Sequence, residues 1–176
     1  MPTHSVAWPV APRPFEGEAY GSWFGRIAAR YRIGVDELAA AAGVGLEDGG
    51  RAWLASQPPR GEALATLAAL CRLPTEVIGS MGPSEPVTAK RLWYCYACLD
   101  MNPEDVSSPY WRAAWLHPQR EPCTTHRGDA WWIATPTLMR YRNMRKLVGF
   151  IRQRMQRPEQ RRRRQDAGLY PYIRSV

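Results

Sequence analysis

Residues 95–126 open with the quartet Cys95-Tyr-Ala-Cys98 and close with the quartet Cys123-Thr-Thr-His126. Each quartet places two metal-ligand side chains at a two-residue gap, so that each pair can hold one side of a tetrahedral ion. Three thiolates and one imidazole fill the coordination shell of Zn²⁺ and leave no position for water. Such a site contributes free energy of folding and supplies no Lewis acid. The sequence therefore predicts one structural Zn²⁺ held by these four side chains.

Other kinds of site are less well matched by the same residues. A thioredoxin-like Cys-x-x-Cys pair lies between a strand and a helix of a βαβ unit, and the proline and polar residues of 100–108 do not predict that helix. Zinc hydrolases and deaminases keep a water position and a nearby glutamate base, whereas the acids closest in sequence to the ligand pairs are Asp100 and Asp129. Cys71 is interpreted as a core thiol. We therefore expect no enzymatic activity.

The positive charge of the 176-residue chain is concentrated towards its C-terminus. Residues 1–138 contain 12 Lys and Arg against 14 Asp and Glu, whereas residues 139–164 contain 11 Lys and Arg against Glu159 alone. A concentrated basic stretch is typical of a protein that contacts a polyanion. The alternative is a solvated helix face followed by an unstructured tail. The candidate contacts to a DNA or RNA backbone are Arg140, Arg142, Arg145, Lys146, Arg152, Arg154, Arg161, Arg162, Arg163 and Arg164.

Apolar spacing predicts a mainly α-helical chain with a small zinc-ribbon-like lobe. Two helix pairs align at an offset of 40 residues, with Arg32-Ile33 matching Arg72-Leu73. Each pair is a helix, a tight turn and a shorter helix, which is compatible with helix-turn-helix geometry. Both pairs lack a basic second helix, which argues against direct reading of a DNA groove. A single basic helix is predicted from about residue 137 to residue 157.

These patterns predict a simple order of segments along the chain. The segments are an extended lead-in (1–14), a helix-turn-helix-like region (15–82), a linker (83–90), a zinc-finger lobe (91–135) and a basic helix with a tail (136–176). The sequence contains no apolar run long enough to span a membrane, and residues 1–14 lack the apolar core of a signal peptide. We therefore expect a cytoplasmic protein without membrane contacts, whose reduced thiols are free to bind metal.

Several sequence stretches together carry a family resemblance. They are Arg13-Pro-Phe-Glu-Gly-Glu-Ala-Tyr-Gly-Ser-Trp-Phe-Gly-Arg-Ile-Ala, Leu73-Pro-Thr-Glu-Val-Ile, Tyr94-Cys95-x-x-Cys98-Leu99, Pro109-Tyr-Trp-Arg-x-x-Trp115 and Cys123-x-x-His126. With these stretches, which span about residues 12–130, the chain resembles the TniQ family of transposon targeting proteins. The combination is far more specific than the cysteine spacing alone.

The resemblance implies an adaptor, not a catalyst. Members of the family connect a target-selection system to the AAA+ ATPase that recruits the transposase. In CRISPR-associated transposons the selector is an effector with guide RNA. The implied fold joins an N-terminal helix-turn-helix region to zinc-finger lobes. Many members carry a second zinc finger, whereas no cysteine follows Cys123 here, and the short length is similar to that of members from CRISPR-associated transposons.

A second function remains open at this point. A stand-alone zinc-dependent DNA-binding regulator would use the same zinc lobe and the same helix pairs. The two functions differ in what the purified chain does by itself. The regulator binds one DNA sequence tightly, whereas the adaptor binds nucleic acid weakly and becomes specific only when its partners are added.

Overall fold

The computed structural model describes residues 7–46, 50–82, 90–100, 109–117, 123, 125–126 and 130–155. The predicted lead-in up to residue 6, the linker at 83–89 and the tail beyond Met155 lie outside these ranges. The helices are α1 (Tyr20–Tyr31), α2 (Val35–Ala42), α3 (Gly61–Cys71), α4 (Thr75–Gly79), α5 (Tyr96–Asp100), α6 (Thr135–Arg140) and α7 (Met144–Met155), and the strands are β1 (Arg91–Cys95) and β2 (Ala130–Ala134). None of these helices is long and apolar enough to cross a membrane.

The two N-terminal helix pairs have the repeated geometry that the sequence predicts. Arg32 follows α1 and Arg72 follows α3 as the C-cap residue, and both arginines have a left-handed backbone, with φ of 60° and 54°. In each turn the N–H of the next residue, Ile33 or Leu73, donates to a carbonyl of the last helical turn, at 3.1 and 3.0 Å. This ending satisfies carbonyls that the helix leaves free. It directs the chain into α2 and α4, so the 40-residue offset holds in three dimensions.

The helical half and the cysteine-bearing half share one cluster of buried side chains. Trp53 and Trp111 are among its largest members, and both are almost completely buried. The short 3₁₀ turn that carries Trp53 lies so close to α1 that a Cβ at Gly21 would meet the Leu54 carbonyl carbon at 2.6 Å. The indole N–H of Trp53 donates to the Leu138 carbonyl at 3.2 Å. The core is therefore continuous from α1 to α6.

An ion pair lies inside this core. Glu18 and Arg26 are each 1% exposed, and Arg26 donates through Nε and Nη2 to the two carboxylate oxygens, both at 2.9 Å. The Ser22 hydroxyl and the Phe15 N–H donate to the same carboxylate. Burial raises the pKa of Glu18, and the hydrogen bond and charge of Arg26 are the main opposing effects. Arg26 also donates to the Arg13 carbonyl at 2.8 Å, which holds the N-terminal arm on α1.

Backbone hydrogen bonds attach the segment between the two ligand quartets to the start of α1. The Ala19 N–H donates to the Trp111 carbonyl at 2.9 Å, and the Ala113 N–H donates to the Gly17 carbonyl at 2.8 Å. The Trp111 N–H donates to the Ser22 hydroxyl at 2.8 Å. Residues 111–113 therefore add a short extended pairing to the N-terminal half. This pairing ties the chain between Cys98 and Cys123 to the helical core.

The basic segment is helical, but the prediction of one continuous helix over 137–157 is wrong. α6 ends at Arg140, and α7 begins at Met144. Between them, Asn143 accepts a hydrogen bond from the Lys146 N–H at 3.0 Å, as an N-cap does. The same side chain donates to the Ile33 carbonyl at 2.9 Å. A tertiary contact with the α1–α2 turn thus starts a new helix. Of the six apolar side chains that the spacing predicts on the inner face, Tyr141 is partly buried and five are buried, namely Leu138, Met144, Leu147, Val148 and Ile151.

We expect Glu18→Gln to destabilise the protein strongly, because the change leaves the Arg26 charge buried without a counter-charge. Removing one partner of a buried ion pair costs about 3–5 kcal/mol, which is a large share of the ~5–15 kcal/mol of a typical domain. Urea unfolding at constant zinc concentration measures the loss. Glu16→Gln is the matched control, since Glu16 is exposed and should change the free energy of unfolding by ~0.5 kcal/mol or less. Equal effects of the two substitutions would contradict a structural role of the ion pair.

Candidate metal centre

The four predicted ligands come from two short segments at one end of the small sheet. Cys95 is the last residue of β1, and Cys98 lies in the first turn of α5. Cys123 and His126 precede β2 in the chain. The strands are antiparallel, and Cys95 is paired with Ala130. The end of β1 and the start of β2 therefore lie side by side, which brings the second quartet to the first.

The donor atoms have the spacing of a tetrahedral zinc site. All four lie within 4.8 Å of one another. The Cys98 Sγ is 3.5 Å from the Cys123 Sγ, and the His126 Nδ1 is 3.7, 3.1 and 3.6 Å from the sulfurs of Cys95, Cys98 and Cys123. Bond lengths of about 2.3 Å to sulfur and about 2.0 Å to nitrogen give tetrahedron edges of roughly 3.5–3.8 Å. The distances of 3.5, 3.6 and 3.7 Å match these edges, whereas the 3.1 Å distance from Cys98 to His126 is shorter. The residues present can therefore hold Zn²⁺, and Nδ1 is the imidazole nitrogen that faces the sulfurs.

The environment of the sulfurs differs along the cluster. Cys95 and Cys98 are buried, and burial raises the pKa of Cys98 to about 12. Burial also acts on Cys123, but hydrogen bonds from His126 and from neighbouring backbone outweigh it and lower the pKa of this thiol to about 6. Among the three sulfurs, Cys123 is the one whose surroundings favour the thiolate form. A bound cation would deprotonate the other thiols as well, since coordination to Zn²⁺ stabilises the thiolate form.

The geometry also distinguishes a metal centre from a redox pair. A strand does precede Cys95, and the short α5 contains Cys98, which is locally similar to a redox motif. The next strand is antiparallel to β1, however, whereas a thioredoxin-like unit is built on βαβ connections. In addition, the second quartet closes over the cysteine pair at 3.1–3.7 Å. This arrangement favours a four-ligand site.

The family model that matches the chain is TniQ, and the match runs over residues 9–128, more than half of the chain. The chain belongs to the TniQ family. The matched residues include both helix pairs and all four candidate ligands, and TniQ proteins are associated with transposition. They are accessory proteins of that process and are not known as enzymes. No curated protein and no solved structure matches this TniQ chain.

The basic side chains of the C-terminal segment differ in their surroundings. Arg140, Arg145 and Lys146 are exposed. Arg142 and Arg152 instead form ion pairs with Asp36 and Asp100, at 3.0 and 2.8 Å. Two further sets complete the predicted contacts. Arg154 lies 5.9 Å from the centre of the Trp132 ring, and Arg161, Arg162, Arg163 and Arg164 lie outside the described residues.

Sequence reasoning missed the intramolecular partners of these arginines. Arg142 also donates to the Gly50 carbonyl at 3.2 Å and so links α2 with the loop that follows it. Arg91 stacks on Trp132 at 4.4 Å on the outer face of the sheet. Asp36 precedes its partner by 106 residues. Sequence spacing carries no signal for a pair so far apart.

We expect the purified protein to contain one Zn²⁺ per chain and Cys123→Ser to lose both the metal and the folded zinc lobe. The reason is that three ligands remain and the closed site no longer offsets the cost of ordering the chain around it. Elemental analysis measures the metal, and thermal unfolding measures the stability. Cys71→Ala is the matched control, because this cysteine lies in the core away from the cluster and its loss should leave the zinc content unchanged. A stable Cys123→Ser protein without metal would exclude a structural metal site.

We expect Cys71 to be unreactive in the folded protein, because burial raises its pKa to about 12. At pH 8 only roughly one thiol in ten thousand is then the reactive thiolate. A thiol reagent should detect the three ligand cysteines after chelation of the metal and detect Cys71 only after denaturation. Since the pKa is raised, reactivity should increase as the pH rises towards 12. A thiol of the zinc-loaded protein that reacts rapidly, and disappears in Cys71→Ala, would contradict this expectation.

Proposed function

We propose that this TniQ protein is a transposition targeting adaptor that carries one structural Zn²⁺. It links a target-selection complex to the AAA+ ATPase of transposition and makes contacts with a nucleic-acid backbone. In a CRISPR-associated transposon the selecting complex is an effector with guide RNA. The observation that carries the proposal is the match of one TniQ family model across both the helix pairs and the Cys₃His cluster. Thiols that hold Zn²⁺ are suited to the reducing cytoplasm, where we place the protein.

A structural role for the metal is supported by the closure of its site. Four protein donors fill the tetrahedron of Zn²⁺, so no position remains for water or substrate. Cys95 and Cys98 are buried, and the residues next to them in the chain, Tyr94 and Leu99, belong to the common core. The same argument supports a protein without a catalytic metal.

A role in recruitment is supported by the hydrogen bonds that join the helical half to the cysteine-bearing half. An adaptor must present two partners with surfaces of fixed relative position. Here the Trp111 segment is hydrogen-bonded to the start of α1, and the Trp53 indole bonds to α6. A contact made on the zinc-bearing half is therefore held in a fixed relation to the helix pairs.

Contacts to nucleic acid are supported by the exposed cations that remain after the ion pairs are counted. Arg140, Arg145 and Lys146 are exposed on α6 and on the first turn of α7. The run 161–164 adds four arginines by sequence. Each neutralised phosphate releases counterions, so affinity falls steeply with salt. We propose contacts to phosphate and not to base edges, since phosphate contacts position a protein without reading sequence.

The alternative, a stand-alone DNA-binding regulator, draws on the two helix-turn-helix-like pairs. A reading helix presents cations or amides to the major groove. The first turn of α2 instead exposes Asp36 and Glu37, and α4 exposes Glu76. Carboxylates on both second helices disfavour entry into a DNA groove. The adaptor is therefore the better-supported function.

We expect the protein to co-purify with the AAA+ ATPase encoded by the same transposon when nucleotide and DNA are present. The physical reason is that an adaptor binds the assembled ATPase, whose subunit interfaces form with nucleotide. Pull-down of the ATPase with tagged protein, with and without nucleotide and DNA, measures the association. Cys71→Ala serves as the folded control and should retain binding, whereas Cys123→Ser should lose it.

The same preparation separates the two functions. By itself the adaptor should bind duplexes of different sequence weakly and equally, with an affinity that falls as salt is added. Tight binding of one sequence by the isolated chain would favour the regulator. A lack of ATPase association under every condition would exclude the adaptor.

A further inference from the structure

The turns of the two helix pairs carry an arginine where the backbone favours glycine. Arg32 and Arg72 are the described residues other than glycine with positive φ. A side chain in the left-handed region is strained against its own backbone, and glycine is the residue that avoids this strain. α2 does end in glycine, at Gly43, with a φ of 65°. The chain thus has an arginine at both equivalent positions, although this backbone conformation favours glycine.

Contacts within the protein do not account for the two arginines. Both residues are exposed. In the part of the chain that the structure describes, neither guanidinium has a hydrogen bond or an ion pair with another residue. Only their backbone N–H groups are used, in the turns themselves. No contact among the described residues offsets the strain of these two arginines. Such strain is typical of residues that serve binding and not folding.

The N-terminal arm places both arginines at the same end of the molecule. The Trp8 N–H donates to the Leu70 carbonyl at 2.8 Å, near the end of α3. The Trp8 ring contacts the ring of Tyr31, the last residue of α1, at 6.2 Å between centroids. Trp8 therefore bridges the ends of α1 and α3. Arg32 and Arg72 lie one and two residues beyond the points that it contacts.

Further cations surround this end. Arg13 and Arg72 line the same small cavity, of about 190 Å³, next to Trp8. On the other side, the bond from Asn143 to the Ile33 carbonyl brings the first turn of α7 to the Arg32 turn. The first turn of α7 carries the exposed Arg145 and Lys146. We name this set the turn-end cations: Arg13, Arg32, Arg72, Arg145 and Lys146.

The nearby carboxylates are already engaged. Asp36 is paired with Arg142 at 3.0 Å, and Glu37 accepts the Gly34 N–H at 3.2 Å at the start of α2. Glu76 accepts the hydroxyl hydrogen of Thr75. The donors to Glu37 and Glu76 are neutral and leave these two carboxylates charged, so the five turn-end cations outnumber them and this end keeps a net positive charge. The partner that fits these cations is an anion with repeated charges.

We propose that the turn-end cations bind the phosphate backbone of double-stranded DNA, with Arg32 and Arg72 as two separate phosphate contacts. Both side chains start from rigid turns, which suits the regular phosphate positions of a duplex. Proteins that hold single strands add exposed aromatic rings on which bases stack, whereas the ring of Trp8 packs against Tyr31. The inference rests on the nucleic-acid contact of the proposed function and is independent of the ATPase contact.

The test uses the full chain with the substitutions Arg32→Gly and Arg72→Gly, singly and together. Binding to a duplex of arbitrary sequence is measured by fluorescence anisotropy over a series of salt concentrations. The slope of log affinity against log salt should become less steep by about 0.9 for each arginine removed. Arg60→Gly is the matched control, because Arg60 is an exposed cation at the opposite end of α3, about 16 Å away along an 11-residue helix. It should leave the slope unchanged.

Thermal unfolding of the same variants tests whether the two arginines strain the turns and do not stabilise the fold. Because glycine relieves the left-handed strain, the midpoint of unfolding should stay the same or rise in Arg32→Gly and Arg72→Gly. A fall in the midpoint in both variants would overturn the inference, since the arginines would then serve the fold. Reduced DNA binding by a protein of unchanged stability would support it.

The remaining outcomes separate this inference from the proposed function. If the parent protein binds duplex DNA and the two variants match Arg60→Gly, the inference is wrong while nucleic-acid binding stands. If the variants weaken binding of single-stranded RNA but not of the duplex, the proposed partner is wrong. If the parent protein binds no duplex at low salt but does bind single-stranded RNA, the inference alone fails. If it binds neither, the inference and the nucleic-acid part of the proposed function both fail. ATPase co-purification then decides the adaptor role separately.

Discussion

The meeting of Cys95 and Cys98 with Cys123 and His126 is the constraint on which the second half of the molecule depends. The two quartets are far apart in the chain, and a two-stranded sheet alone is too small to hold their segments together. The antiparallel register places the end of β1 beside the start of β2, and the donors then lie within 4.8 Å of one another. A tetrahedral cation bound at this point would link the sheet, α5 and the loop before β2.

This constraint reaches the rest of the protein because the described residues of the cysteine-bearing half pack into the same core as the helices. Leu92, Tyr94 and Ile133 belong to the same buried cluster as the side chains of α1 and α3. Trp111 reaches the start of α1 through backbone and side-chain hydrogen bonds, next to the buried pair of Glu18 and Arg26. A cation bound at the candidate centre and the helix pairs would therefore stabilise each other.

The arginines of this TniQ protein serve different purposes according to what lies near them. Arg26 is buried and compensates Glu18, while Arg142 and Arg152 join distant segments through Asp36 and Asp100. Arg32 and Arg72 have no such partner among the described residues and occupy strained turns. Net charge by itself does not distinguish these roles. A basic sequence becomes a nucleic-acid surface only where cations are left without carboxylates.

Local spacing in the sequence determines much of the fold and the set of candidate metal ligands. Near neighbours in the chain define the two-residue gaps of the ligand pairs and the apolar periods of the helices. The 40-residue repeat compares two such local patterns. Each of these features is found in the fold. Only the tertiary structure decided how the basic segment is divided, because Asn143 caps α7 while it bonds to Ile33, which lies 110 residues earlier. It also decided that Nδ1 of His126 faces the sulfurs and which arginines are paired. Those outcomes depend on groups that meet only when the chain is folded, so they cannot be inferred from spacing in the sequence.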